Sequence, residues 1–265
     1  MNICVIIPAA GSSTRYNTDA LEPRSKLDED LAGRPVLQRT VELFHTRPEV
    51  GAILVAGPHD EAAFEAFKFR HADKLAILGV TLVRGGAAHR WETVKAALEH
   101  VPDDATHIAV HDAARPGTPE PMLDRIFASA ERHPAVVPAL TIADTVKRVE
   151  TFEREKAADP LAAILGEDGG DTEASERVKE TVDRTGLKAI QTPQVFERAL
   201  LERAYAQSDL SSTDDAGLVE RLGEEVLVVE GDLRGMKITT PHDLHLLRHM
   251  LNLKGPKERS MHHKF

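Results

Sequence analysis

Asn2 to Ala9 is an apolar run with no polar face, the pattern of a strand covered on both sides. Pro35 then opens a segment in which Val36, Leu37, Val41, Leu43 and Phe44 recur at helical spacing, with proline suited to a first turn that needs no N–H. The same pairing recurs down the chain. Ala52 to Ala56 is a strand followed by an Ala/Phe helix near Glu61 to His71. Val80 to Val83 is followed by a helix over Arg90 to His100, and His107 to His111 by one over Pro121 to Arg132. Ala135 to Leu140 is a further strand. Short β-branched runs alternating with helices predict an α/β fold, a mostly parallel sheet with helices on both faces.

From Thr141 to Gln191 the alternation stops. Thr151 to Glu180 carries nine acids against four bases, a local net of −5, and Gly166, Gly169 and Gly170 interrupt any continuous helix. This stretch reads as an inserted arm. The alternation returns with helices over Glu197 to Gln207 and Thr213 to Leu222, a strand over Val226 to Val229 and a last helix from Pro241 to Leu253. The expected organisation is one domain over 1–255, an inserted arm over about 141–191, and a frayed tail over 256–265.

Composition narrows the function classes. The chain has 265 residues and a formal net charge of −10, half of it in the arm. That balance argues against a large nucleic-acid surface while leaving room for a small basic pocket. The single cysteine, Cys4, lies in the first apolar run and has no partner for a disulfide. No apolar stretch reaches the ~18 residues of a membrane span, and the first charge, Arg15, follows the apolar segment instead of preceding it. The expectation is a cytoplasmic protein with no membrane partner.

The chemistry concentrates where strands end. The first strand runs into Pro8-Ala9-Ala10-Gly11-Ser12-Ser13-Thr14-Arg15, small residues that let a phosphate or base approach backbone N–H groups, then a cation. It has neither the P-loop pattern nor the dinucleotide fingerprint, so a tight turn with a surface arginine is the competing reading. Lys26 follows eleven residues later and could face Arg15 across a developing phosphate charge. At the end of the fourth strand stands His111-Asp112-Ala113-Ala114-Arg115. There Asp112 could hold a ribose hydroxyl or Mg²⁺, or could cap the following turn. Arg115 suits an acid or a phosphate, and His111 reads as a packed strand residue. Trp91 is core, pocket wall or stacking platform. His242, His245 and His249 share a helix face, but no neighbouring cysteine or paired carboxylate completes a ligand set.

Pro8 to Arg15, Ser25-Lys26, Gly33 to Leu37, Gly85-Gly86, His111 to Pro116, Asp144 to Lys147, Thr181 to Arg184, Gln191 to Gln194 and Lys237 to Pro241 together resemble, in order and over nearly the whole chain, the 2-C-methyl-D-erythritol 4-phosphate cytidylyltransferases. The resemblance implies a Rossmann-like nucleotidyltransferase fold and an enzyme of non-mevalonate isoprenoid synthesis. Such an enzyme uses CTP and Mg²⁺ to make a CDP-alcohol and release pyrophosphate. It implies that Arg15 and Lys26 are catalytic, and that Pro8 to Thr14, Gly85, Arg90 and Thr93 hold the nucleotide, with Asp112 and Ala113 near ribose and metal. Arg115, Thr145, Arg184 and Lys237 would contact the sugar-alcohol phosphate. It further implies a homodimer through the arm, with Arg115, Thr145 and Arg184 serving the partner's site. The chain departs from the family pattern at Ser13, where many relatives have glycine, at Arg234-Gly235, where Asp-Asn is common, and in an arm about twenty residues longer. Two alternatives remain at this point: a cytidylyltransferase for ribitol 5-phosphate or another alcohol phosphate, and a catalytically silent nucleotide-binding module.

Overall fold

The computed structural model describes residues 1–18, 24–155 and 172–253. The centre of the expected arm, 156–171, and the expected tail, 256–265, lie outside the described residues. The chain divides into two compact units, one of residues 1–140 with 190 onward, the other of Thr141–Ala189.

The larger unit holds β1 (Ile3–Pro8), α1 (Val36–Glu42), β2 (Val50–Gly57), α2 (Glu61–Ala76), β3 (Val80–Arg84), α3 (Arg90–Leu98), β4 (His107–Val110), α4 (Glu120–Ala130) and β5 (Ala135–Thr141). After the insertion come β9 (Gln194–Glu197), α5 (Arg198–Tyr205), α6 (Ala216–Arg221), β10 (Leu227–Glu230) and α7 (Pro241–Met250). The strand order is β10-β5-β9-β4-β1-β2-β3. β1 pairs in parallel with both β2 and β4, so the chain leaves β1 toward one edge and later returns to its other side. That reversal opens a crevice at the carboxyl ends of β1 and β4, the place where open α/β sheets bind ligands.

Alternation along β1 sorts the two cores, as the two-residue period of a strand requires. Ile3, Val5 and Ile7 pack with residues of α1, α2, α4 and α7. Cys4 and Ile6 pack with α3, α5 and α6 on the opposite face. Ile3 through Ile7 are all fully buried, which explains a segment without a polar side.

Three expectations are corrected. Pro35 stands just outside α1 in an extended conformation, φ −58 and ψ 147, because its ring fixes φ without committing ψ to the helix. The segment expected as helix over Thr213 to Leu222 is helical only from Ala216, since Gly217 and the Asp214-Asp215 pair form a tight start. Outside the arm one strand was not expected: β9, four residues, runs antiparallel between β4 and β5.

The smaller unit is a hairpin of β6 (Val146–Glu155) and β7 (Thr172–Val182), antiparallel from Val146 opposite Val182 to Glu155 opposite Thr172, with an irregularity at Arg148/Val149. A short β8 (Lys188–Ile190) follows. Cross-strand charge pairs line the hairpin, Arg148 with Glu180 at 2.6 Å and Arg177 with Glu150 at 2.7 Å. Their high exposure makes each worth little.

Candidate active site

The loop after β1 turns at Ser13, whose φ of 57 and ψ of 29 place it in the left-handed region. Glycine adopts that conformation freely, whereas a serine there is strained. The turn keeps its serine in use: Ser13 Oγ accepts from the Lys26 N–H at 3.3 Å, and its carbonyl accepts from the N–H groups of Tyr16 and Asn17. Lys26 is thereby tied to the same turn that carries Arg15. Its ammonium donates to the Ile238 carbonyl at 2.8 Å, and Ile238 N–H donates in turn to Ala114. Burial, reinforced by the nearby charge of Lys237, lowers the Lys26 pKa from 10.5 to about 8.

The loop after β3 reaches the same crevice. A side chain at Gly85 would meet the Gly57 carbonyl at 2.5 Å, and one at Gly86 would meet Glu92 Cβ at 2.1 Å, so two glycines are what allows α3 to begin here. Gly86 N–H donates to Thr93 Oγ1 at 3.2 Å, and the Glu92 carboxylate accepts from Ala88 N–H at 2.7 Å and His89 N–H at 3.1 Å. Arg90, the first residue of α3, is aimed inward by this start. Trp91 stacks on His89, ring centroids 5.8 Å apart, outside the cavity wall that His89 and Arg90 form.

Asp112, 7% exposed, is the centre of the site. Its Oδ2 pairs with Arg115 Nε at 3.0 Å and Lys237 Nζ at 3.1 Å, and its Oδ1 faces Arg90 Nε at 3.4 Å. The side chain caps no turn. Burial raises its pKa, but Lys237, Arg90 and Arg115 outweigh burial and hold it well below the usual carboxylate range. Asp112 N–H donates to Thr192 Oγ1, which also meets His111 Nδ1 at 3.1 Å. His111 Nε2 faces the Arg115 carbonyl at 3.2 Å, an acceptor only, so that nitrogen carries the ring proton. Burial pushes the His111 pKa down to about 4, leaving it a neutral packed residue, as its sequence position suggests.

Two adjoining cavities result. The first, about 370 Å³, is lined by Pro8 to Tyr16, Lys26, Leu27, Gly86 to Arg90, Thr93, Asp112 to Ala114, Lys237 and Thr239. The second, about 290 Å³, is lined by Arg90, Asp112, Arg115, Gln191, Thr192, Gln194, Thr213, Asp214 and Lys237, with Ile190 at its rim. They share Arg90, Asp112 and Lys237. Of the expected site residues, Pro8 to Arg15, Lys26, Arg90, Thr93, Asp112, Ala113 and Lys237 gather in the first cavity and Arg115 in the second. Gly85 lies behind the wall as packing, its N–H bonded to the Gly57 carbonyl at 2.9 Å. Thr145 and Arg184 belong to the smaller unit and are exposed; there Arg184 donates to the carbonyls of Ile142 and Ala143. Arg234, at the departure before Lys237, turns back to Asp232 at 2.8 Å, while the Gly235 carbonyl accepts from Arg115 at 2.8 Å. Tyr16, Leu27, Gly86, Ala87, Ala88, His89, Ala114 and Thr239 also line the first cavity and were not among the expected contacts. Small or common residues in loops carry no signal by themselves.

A family model described as 2-C-methyl-D-erythritol 4-phosphate cytidylyltransferase matches residues 3–159 and 153–252. A relative from Frankia casuarinae with that name is 38% identical over 259 residues, covering 97% of this chain and 84% of its own. One from Rhodococcus opacus is 36% identical over 247 residues, with 93% of each chain covered. The crystal structure of the enzyme so named from Thermus thermophilus superposes with a TM-score of 0.67 at 29% identity, covering 96% of this chain and all of that one.

Proposed function

The chain belongs to the 2-C-methyl-D-erythritol 4-phosphate cytidylyltransferase family, and we propose that its reaction runs at the seam of the two cavities. The activity is transfer of a cytidylyl group from CTP to the alcohol phosphate in isoprenoid precursor synthesis. One observation carries the placement. Arg90, Asp112 and Lys237 line both cavities, one built from the loop after β1 and the other from Arg115 and Thr192, so two phosphorylated substrates would meet across them.

CTP occupies the larger cavity, its phosphates over the backbone of Ala9 to Thr14 and its ribose toward Asp112 and Ala113. The alcohol phosphate lies against Lys237 and Arg115. Held by Asp112 and the Gly235 carbonyl of its own chain, Arg115 is placed in its own site and not, as the resemblance implied, in the partner's. A phosphate oxygen of the alcohol phosphate attacks the α-phosphorus of CTP, a P–O bond forms, and the bond to pyrophosphate breaks. Arg15 and Lys26 face the charge that builds on the α-phosphate oxygens, and fixed cations there act mainly by electrostatic stabilisation.

Among the described residues lining the first cavity Asp112 is the one carboxylate, and it stays ionised. That suits Mg²⁺, which is commonly held by one or two carboxylates together with substrate phosphates, and which supplies neutralisation of the triphosphate when bound. Lys237, Arg90 and Arg115 compete with the ion for the same oxygens. Among the described residues no group of three or more His, Cys, Asp or Glu side chains could hold a metal without substrate.

The arm supports a homodimer. A two-stranded hairpin is marginal by itself, and Val149 and Val178 are 46% and 60% exposed on this one. A second copy of the chain would cover them, with Arg184 and Thr145 completing the neighbour's alcohol-phosphate site. No helix among the described residues is long and apolar enough to cross a membrane.

The test is pyrophosphate release with CTP and each of 2-C-methyl-D-erythritol 4-phosphate and ribitol 5-phosphate. Strong preference for the first is expected. Equal turnover of ribitol 5-phosphate would overturn the substrate assignment, and CTP binding without turnover of either would leave a silent nucleotide-binding module.

A further inference from the structure

Asp215 is completely buried and stands immediately before α6, where an aspartate ordinarily accepts from a backbone N–H of the first turn. It does not cap the helix. Gln194 Oε1 and Asp214 Oδ1 do so instead, the first accepting from Asp215 N–H at 3.1 Å and Ala216 N–H at 3.0 Å, the second from Gly217 N–H at 3.1 Å. The carboxylate is left entirely to two side chains. Oδ1 accepts from the Tyr205 hydroxyl at 2.6 Å, and Oδ2 is ion-paired with Arg90 Nη2 at 2.8 Å.

Neither Asp215 nor Tyr205 lines either cavity, whereas Arg90 lines both. A carboxylate sealed from water is costly, and an apolar side chain of similar volume often serves stability as well or better. What the charge adds is direction. Without it, among the described residues the only carboxylate paired with Arg90 is Asp112, which stands 3.4 Å away and already engages Arg115 and Lys237. Burial opposes the charge on Arg90, and Asp215 and Asp112 outweigh it, pushing its pKa up.

We infer that Asp215, oriented by the Tyr205 hydroxyl, is a positioning residue that holds the Arg90 guanidinium at the seam of the two cavities for the phosphates of the nucleotide. The inference rests on the reading of Arg90 as a nucleotide contact. Loss of the Asp215 charge lets Arg90 turn wholly onto Asp112, and the triphosphate loses a cation.

The experiment compares steady-state kinetics of Asp215→Asn, Tyr205→Phe, Arg90→Ala and the combinations of the first two with Arg90→Ala, with melting temperatures alongside. Asp215→Asn keeps an acceptor for Tyr205 and should raise KM for CTP about tenfold or more, the scale of removing one partner of a buried charge pair. Tyr205→Phe should move KM in the same direction by a few-fold. In the Arg90→Ala background neither substitution should raise it further, because both act through that guanidinium. If Arg90→Ala raises KM for CTP while Asp215→Asn and Tyr205→Phe leave it alone, or if the effects add, Asp215 is only structural and the inference is overturned. An unchanged KM in Arg90→Ala overturns the nucleotide placement and the inference with it. Should Asp215→Asn not fold, Tyr205→Phe alone and with Arg90→Ala makes the same comparison.

Discussion

Raising the pH should switch off Lys26 before it harms anything else in the site. The ammonium is partly buried, it lies near Lys237 and Arg15, and only Asp112 and Asp243 oppose these effects, so its midpoint falls from 10.5 to about 8. In the proposed role it is the charged form of Lys26 that would stabilise transition-state phosphate, so activity should be present below pH 8 and lost as pH rises through it. With that midpoint, roughly nine in ten copies are charged at pH 7 and roughly one in ten at pH 9, so kcat/KM should drop about tenfold across that interval. Phosphate monoesters have the midpoint of their second ionisation near pH 6, well below this limb, so the substrates contribute little to it. The assay is coupled pyrophosphate release across pH 6.5 to 10. Bound CTP brings negative charge to the ammonium, so the limb in kcat should lie at higher pH than the limb in kcat/KM. Lys26→Arg, whose guanidinium does not titrate in this range, should be slower but flat. A wild-type kcat/KM unchanged to pH 10, or the same limb persisting in Lys26→Arg, would refute the assignment.

Arg15→Ala should lower turnover by about two orders of magnitude or more, the scale of losing one preorganised donor to transition-state charge, with far less change in CTP affinity by calorimetry. Asp112→Asn should raise the Mg²⁺ concentration needed for half-maximal turnover; a lower melting temperature with unchanged Mg²⁺ dependence would mark Asp112 as purely structural. Mixing inactive Arg15→Ala with inactive Arg184→Ala should restore some activity by subunit exchange, because a hybrid dimer would carry one intact site. No recovery despite demonstrated exchange would place the action of Arg184 within its own chain or nowhere.

Much of this was legible in the sequence because the physics is local. A strand with apolar residues at every position, Ile3 to Ile7, must be buried on both faces, and a run of small residues after it must turn closely. Gly85-Gly86 likewise marks a close approach, although its partner, the start of α3, is visible only in three dimensions. The convergence of Arg90, Arg115 and Lys237 on Asp112 joins residues up to 147 positions apart, and no spacing rule reports it. β9 was missed because four residues bounded by Gln194 and Glu197 carry too little alternation, and Gln194 spends its amide on the start of α6. Asp215 carried no signal of its own: it stands at a helix start, yet Gln194 and Asp214 satisfy the first turn, and its carboxylate faces Tyr205 and Arg90 instead.

Among the described residues, the charges lining the first cavity are four cations, Arg15, Lys26, Arg90 and Lys237, against one carboxylate, on a chain whose formal net charge is −10. An approaching nucleoside triphosphate therefore meets two fields of opposite sign. The chain as a whole repels it at long range, while the crevice attracts it only over the last few ångströms. Dissolved ions separate these ranges, since screening sets in beyond about 30 Å at 0.01 M ionic strength and about 8 Å at 0.15 M. Adding salt to a very dilute buffer first removes the distant repulsion and speeds encounter; further addition weakens the nearby attraction and slows it. Nucleotide association followed by stopped flow should pass through a maximum with ionic strength, unlike the monotonic fall of a uniformly basic binder.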